Sequence, residues 1–292
     1  MHGKQAIILS LAVIFSFTLN LSAHKPAYLL YNGDGEQVTF TELAEAAREV
    51  HVVLFGELHN NPISHWLQLE LSKDLFHSLG QDLVMGAEMF EADDQILLDE
   101  YFSGRIMERH FRAEAKLWGN YDTDIRPLVE LARENGLSFI ATNIPRRYAA
   151  LVHREGFEGL EGLGQQAKNY IAPLPVPYDP ELPAYKAMLE MGLPAAHGGE
   201  NLPKAQAIKD ATMAHFIMEN LPGAGVFIHF HGTYHSNHYE GIAWYLDTYS
   251  EGTVQMLTIA TAEAEEIDSL PEDQLGVADF IILVPATMTK TH

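Results

Sequence analysis

The sequence predicts an α/β fold: a mainly parallel sheet flanked by helices, with a proline-rich helical or loop excursion over the C-terminal strand edge. Two observations carry this. Four times, a short apolar run ends in polar residues and gives way to a helical pattern. Two further apolar runs, 254–259 and 280–284, read as additional strands. Strands that alternate with helices indicate parallel pairing through crossover connections. Right-handed crossovers bring the strand C-termini to one edge, where open α/β sheets form their ligand crevice.

The first run is Val52-Val53-Leu54-Phe55, ending in Gly56-Glu57-Leu58-His59. Ile63, Leu67, Leu71, Leu75 and Leu79 follow at the four-residue spacing of a helix face, and Pro62 suits its first turn. The second run ends in Gly86-Ala87-Glu88, with a helix from about Ala92. The third, 137–141, ends in Thr142-Asn143, and its helix opens with Pro145-Arg146-Arg147-Tyr148. The fourth is Val226-Phe227-Ile228-His229-Phe230-His231-Gly232, with a helix expected over 236–249. Segment 171–203 breaks the pattern. It holds seven of the 14 prolines and one short helical stretch near 181–191, and reads as a lid or an insertion.

Residues 1–23 have the layout of a secretory signal peptide: Lys4, an apolar run over 6–19, and a small-residue cleavage site at Leu21-Ser22-Ala23. That run is short for a membrane span of about 20 residues. The expectation is a chain cleaved before His24, exported, and periplasmic or outer-membrane-associated, with 24–292 as a single domain. The 292 residues contain no cysteine, which excludes disulfides, thiolate metal sites, covalent haem attachment and a lipid-anchor cysteine. The formal charge of −22 argues against nucleic acid as a partner. Between Asp210 and Asp279 there are twelve Asp or Glu and no Lys or Arg.

The candidates for chemistry sit at the strand ends. In extended backbone Glu57 and His59 share a face, which suits an acid–base pair or a divalent-metal site. Glu88 is flanked by small and apolar residues, so it is expected to be buried, and a buried carboxylate needs a partner. His229, His231, His235 and His238 fall within ten residues, and neutral imidazole ligates zinc, copper, iron and haem. Asn143 ends a strand beside Arg146 and Arg147, which are candidates for holding carboxylates such as haem propionates. Tyr148, Tyr234 and Tyr178 are candidate phenolate ligands for haem iron. Arg105, Arg109, Arg112 and Lys116 recur at helical spacing and read as one solvated helix face. His215 reads as core or surface.

Several motifs stand together in order: Gly56-Glu57-Leu58-His59, Gly86-Ala87-Glu88-Met89-Phe90, Trp118-x-x-Tyr121 with Arg126-Pro127-Leu128, Asn143-x-Pro145-Arg146, Asp210-x-x-Met213-Ala214 and His231-Gly232. Over roughly 40–285 this arrangement resembles the ChaN family of haem-binding iron-regulated proteins, related to the Tiki, TraB and erythromycin-esterase superfamily. The resemblance implies noncovalent b-type haem, a homodimer with haems stacked between subunits, and an outer-membrane haem receptor system as partner. It also implies a superfamily site of Glu57, His59, Glu88 and His231 working as a metal or acid–base centre. Tyr148, Tyr234 and His235 are the haem-ligand candidates, with Arg146 and Arg147 for propionates and Asn143, His229 and His238 in support. The lipoprotein anchor common in the family has no cysteine here. Three functions therefore stand: an exported haem-binding protein in haem or iron acquisition, a metal-dependent hydrolase, and a metal-free esterase-like site with His59 or His231 as base.

Overall fold

The computed structural model describes residues 25–190 and 199–292. Segment 1–23, where a signal peptide is expected, and Met191, Pro194 and His197 of the proline-rich excursion lie outside the described residues.

Eight strands form one sheet in the order β2-β1-β8-β7-β3-β6-β4-β5. Here β1 is Leu29–Asn32, β2 Gln37–Val38, β3 Val52–Glu57, β4 Leu83–Glu91, β5 Ser138–Asn143, β6 Val226–Gly232, β7 Met256–Ala264 and β8 Phe280–Pro285. Strands β3 to β8 run parallel. The hairpin β1–β2 caps one edge antiparallel to β8. Its strands are too short for an apolar period to announce them, and the sequence reading did not anticipate it.

The two faces follow from side-chain alternation. Val53 and Phe55 of β3, with Ile228 and Phe230 of β6, pack against Leu43 of α1 (Phe40–Ala47), Leu67, Leu71 and Leu75 of α2 (Pro62–Leu79), and Val129 of α5 (Arg126–Asn135). Helices α3 (Gln95–Phe102) and α4 (Glu108–Glu114) extend that layer through Leu98 and Phe111. On the other face, Val52, Leu54 and Phe227 pack against Val152 of α6 (Arg146–Glu155), Ala211 of α9 (Leu202–Glu219) and Leu246 of α10 (Ile242–Ser250). The short α7 (Gln165–Lys168) and α8 (Pro183–Glu190) lie in the long connection before α9. Each fully buried aliphatic or aromatic side chain contributes about 1.5–3 kcal/mol to holding these layers. No helix among the described residues is long and apolar enough to cross a membrane.

Local chemistry sets the helix starts near the site. Asn61 caps α2 by accepting from the backbone N–H of Ile63 and Ser64, and Pro62 occupies its first turn. Two sequence expectations are corrected. The helix expected over 236–249 begins only at Ile242. Before it lie two single-turn 3₁₀ segments, Thr233–His235 and Asn237–Tyr239. His238 and Tyr239 adopt φ of 58° and 60°, which an α-helix does not accept, and the His238 N–H bonds instead to Val277 O at 2.8 Å. The basic strip is not one helix face either. Helix α4 ends at Glu114 and Ala115 turns extended, so Lys116 folds back onto Asp93 and Asp94 while Arg112 pairs with Asp122.

Candidate functional site

Glu57 and His59 meet as their alternation predicts. His59 Nδ1 lies 2.8 Å from Glu57 Oε1. The carboxylate is fully buried, and its other oxygen accepts from Gln68 Nε2 at 2.6 Å and faces His65 Nδ1 at 3.5 Å. With Glu57 taking the Nδ1 proton, the neutral tautomer leaves His59 Nε2 as an acceptor. The ring is 40% exposed and stands edge-on to Trp118, centroids 4.9 Å apart. Burial disfavours its charge, but the hydrogen bond that His59 Nδ1–H donates to Glu57 and the nearby Glu88 carboxylate outweigh that, and its pKa lies above the ordinary value.

Gln68 and His65 were missed by the sequence reading. Both project from α2 beside the Leu67–Leu71 stripe, and both are buried. His65 Nε2 bonds to the carbonyl of His59 at 3.0 Å and lies 3.4 Å from Asp124. The available signal was a polar stripe of His65, Gln68 and Ser72 running alongside the leucines.

Glu88 is buried at 6% exposure and paired, as its apolar flanks require. Oε2 accepts from the Gly232 N–H at 2.8 Å, and Oε1 lies 3.1 Å from His235 Nε2. The other nitrogen of His235 binds Asp210 of α9 in a short contact. A ring held between two carboxylates carries both protons. Burial opposes this, yet Glu88 and Asp210 together push the His235 pKa up to about 10. Burial alone would raise Glu88, but the His235 cation holds it well below the usual carboxylate range. For Asp210 burial wins, and its pKa is raised. Asp210 was legible in the sequence only as part of a motif.

His229 and His231 are also fully buried, but neutral. Their rings stack with centroids 5.2 Å apart. One directed set of protons satisfies the chain. Ser236 O–H donates to His231 Nε2 (2.8 Å), His231 Nδ1–H to His229 Nδ1 (3.2 Å), and His229 Nε2–H to Thr142 Oγ1 (2.7 Å). Burial lowers His231 to about 3, helped by the His235 cation, and burial likewise drives His229 well below its ordinary value.

Two glycines of the motifs are explained by close approach. A Cβ on Gly56 would lie 2.8 Å from Thr233 Cα and 2.9 Å from Ile259 O. A Cβ on Gly232 would lie 2.8 Å from His59 Nε2 and 3.6 Å from Glu88 Oε2. His59 Nε2 therefore sits directly over the end of β6, beside Glu88.

Of these groups Glu88 borders a cavity of about 730 Å³ at the C-terminal strand edge, which Glu91, Trp118, Asn143, Arg146 and Lys209 also line. A second recess of about 220 Å³ lies by α8, lined by Pro183, Ala184, Ala187, Tyr234, Asn237 and His238. The two share no lining residue. Among the described residues of the excursion, α8 borders the smaller of these two cavities and none borders the larger.

The structure separates the haem-ligand candidates. Tyr234 is 53% exposed, and its hydroxyl has no hydrogen-bond partner among the described residues. Tyr148 lies beneath the Arg147 guanidinium at 4.5 Å, and Tyr178 stacks on Tyr185 at 5.4 Å. Both ring nitrogens of His235 are engaged. Arg147 is bound to Asp93 at 2.6 Å, whereas Arg146 makes no ion pair among the described residues. His215 packs on Phe216.

A divalent metal fits this site poorly. His235 is a cation, and the lone pairs of His229 and His231 are used within their own chain of bonds. Among the described residues no group of three or more His, Asp or Glu is arranged to hold a metal ion.

Residues 43–246 match the family described as haem-binding uptake, Tiki superfamily, ChaN. The chain belongs to that family. Its fold is similar to that of ChaN of Campylobacter jejuni, a structure described as showing cofacial haem binding. That likeness has a TM-score of 0.64 at 15% identity and covers 88% of this chain and 96% of that one. It is also similar to the erythromycin esterase EreC in an open conformation, with a TM-score of 0.51 at 9% identity, covering 90% and 98%. At these identities the likenesses speak for the fold. No curated protein matches the sequence.

Proposed function

We propose that this chain is an exported protein that binds b-type haem noncovalently in haem or iron acquisition, and that Tyr234 would hold the haem iron. The observation that carries the assignment is the unpartnered Tyr234 hydroxyl beside the recess of Pro183, Ala184 and Ala187. Apolar walls bury a porphyrin face, and a phenolate ligates ferric iron. His238 lines the same recess and supplies a second nitrogen donor. The iron brings the redox and ligand chemistry when bound; the protein contributes the ligand oxygen and the apolar seat. A second copy of the chain and a haem receptor system of the outer membrane would be its partners. Titration of the purified protein with haem should give a saturable Soret band, and Tyr234→Phe should shift that band and weaken binding. The absence of saturable change overturns the haem reading. An unchanged Tyr234→Phe spectrum overturns the ligand assignment alone.

A second reading is favoured by Glu57 and His59. A carboxylate-oriented, part-exposed imidazole over Gly232 and beside Glu88 suits metal-free acid–base hydrolysis. Turnover of a chromogenic ester, abolished in His59→Gln and insensitive to chelator, tests it. No turnover above a bovine albumin control sinks it.

A further inference from the structure

The segment after β8, residues 286–292, forms neither helix nor strand. Segments of that kind at a chain end are poorly ordered unless something ties them down. Here three contacts do so. Lys290 pairs with Glu263. The Thr291 N–H donates to the carbonyl of Asn60 at 3.0 Å. The Thr291 hydroxyl donates to Asp124 Oδ2 at 2.9 Å.

All three lead to residues 58–61, the loop that carries His59. Glu263 also accepts from Asn61 Nδ2 at 3.4 Å, and Asn61 is the cap of α2. Asp124 is buried, accepts from Asn120 Nδ2 at 3.0 Å and lies 3.4 Å from His65 Nε2. Asn120 and His65 in turn hold the carbonyl of His59, at 3.1 and 3.0 Å. Thr291 takes the next carbonyl along the chain, that of Asn60.

We propose that residues 286–292 are a strap that clamps the His59 loop, so that the pairing of His59 with Glu57 depends on Lys290 and Thr291 staying docked. Each contact is modest alone. The Lys290 and Glu263 side chains are 32% and 28% exposed, so salt screens their pair and loosens the strap. Release leaves the Glu57 carboxylate in place, because Gln68 holds its other oxygen. What changes is the freedom of the imidazole. The strap acts on the protein alone and requires neither haem nor turnover.

Hydrogen exchange read by mass spectrometry on the full chain tests this, with the Asn61 N–H, bonded to Leu58 O at 2.8 Å, as reporter. Lys290→Glu sets an acid against Glu263, and Thr291→Val removes the hydroxyl from Asp124. Both positions follow the last strand, so the double variant keeps its core. Its 58–61 amides should exchange about tenfold faster through local opening, while those of β6 keep the wild-type rate. The His59 pKa should fall toward its ordinary value in an NMR titration, as the ring leaves the Glu57 and Glu88 carboxylates that hold it up against burial and the His235 cation. Thr289→Val, at an exposed position of the same segment, should match the wild type in both readouts. Raising salt to ~1 M should speed exchange over 58–61 in the wild type and not in the double variant. The proposal is overturned if the double variant leaves the 58–61 exchange or the His59 titration unchanged. It is equally overturned if β6 speeds by the same factor, which would be general loosening.

Discussion

Glu57 Oε1 and His59 Nδ1 lie 2.8 Å apart, the carboxylate buried and the imidazole partly exposed. The carboxylate fixes which imidazole nitrogen carries the proton and favours the charged ring. Glu57→Gln should therefore lower the His59 pKa, read by NMR titration of the imidazole. An unchanged titration would mean that Glu57 plays no orienting part.

The ion cluster Glu88–His235–Asp210 makes a different demand. Removing His235 leaves two buried carboxylates without their cation, and breaking such a pair costs about 3–5 kcal/mol. His235→Ala should lose stability of that order in urea unfolding at pH 7. Asp210→Asn should lose less, because its carboxyl is already the one that burial disfavours as an anion.

The same cluster predicts an alkaline limb. The folded His235 pKa stands at about 10, against about 6.5 in an unfolded chain. Its contribution is complete below pH ~6.5 and is lost as pH rises toward 10. Thermal unfolding midpoints should decline between pH 7 and 10, with a shallower decline in His235→Gln. Parallel profiles for the two proteins would rule this out.

His229 and His231 predict the acid limb, with the opposite sign. The unfolded chain takes up protons near pH ~6.5 that folded His231 refuses until about pH 3. Stability should fall as pH drops below about 6.5, by up to about 1.4 kcal/mol per pH unit for each histidine. In His231→Gln the slope between pH 6 and 4 should be reduced by one proton.

Two glycine substitutions should separate site geometry from stability. Gly56→Ala drives a methyl against backbone at Thr233 and Ile259, and should cost about 1–3 kcal/mol by overpacking. Gly232→Ala meets only the tip of the half-exposed His59 ring, which can swing toward solvent. It should cost well under ~1 kcal/mol yet return the His59 pKa toward its ordinary value. Equal stability losses would contradict the geometry.

Much of this site was legible because strand ends in a parallel sheet fall on one edge. Glu57, His59, Glu88, His231 and Asn143 all arrive there on apolar runs that mark themselves. Charge states were not legible. His229, His231 and His235 look alike in sequence, but their protonation depends on Asp210 on a distant helix and on Ser236 and Thr142. The partners Gln68 and His65 were hidden for a similar reason, since a polar residue on a helix face reads as solvent-facing until the packing is known. The helix start after β6 was misplaced because His238 and Tyr239 take left-handed backbone conformations that no propensity favours.

The position of β6 between β3 and β4 has a consequence for how the molecule comes into being. Glu57 and Glu88 belong to strands made early in synthesis, yet the strand that seats beside both arrives some 140 residues after Glu88. Until it docks, the carboxylate of Glu88 has neither the Gly232 amide nor His235 to receive it. The crevice is thus a late product of folding, assembled by closure of a long loop whose entropy must be met first. A nascent chain ending before Val226 would carry two acids and no site.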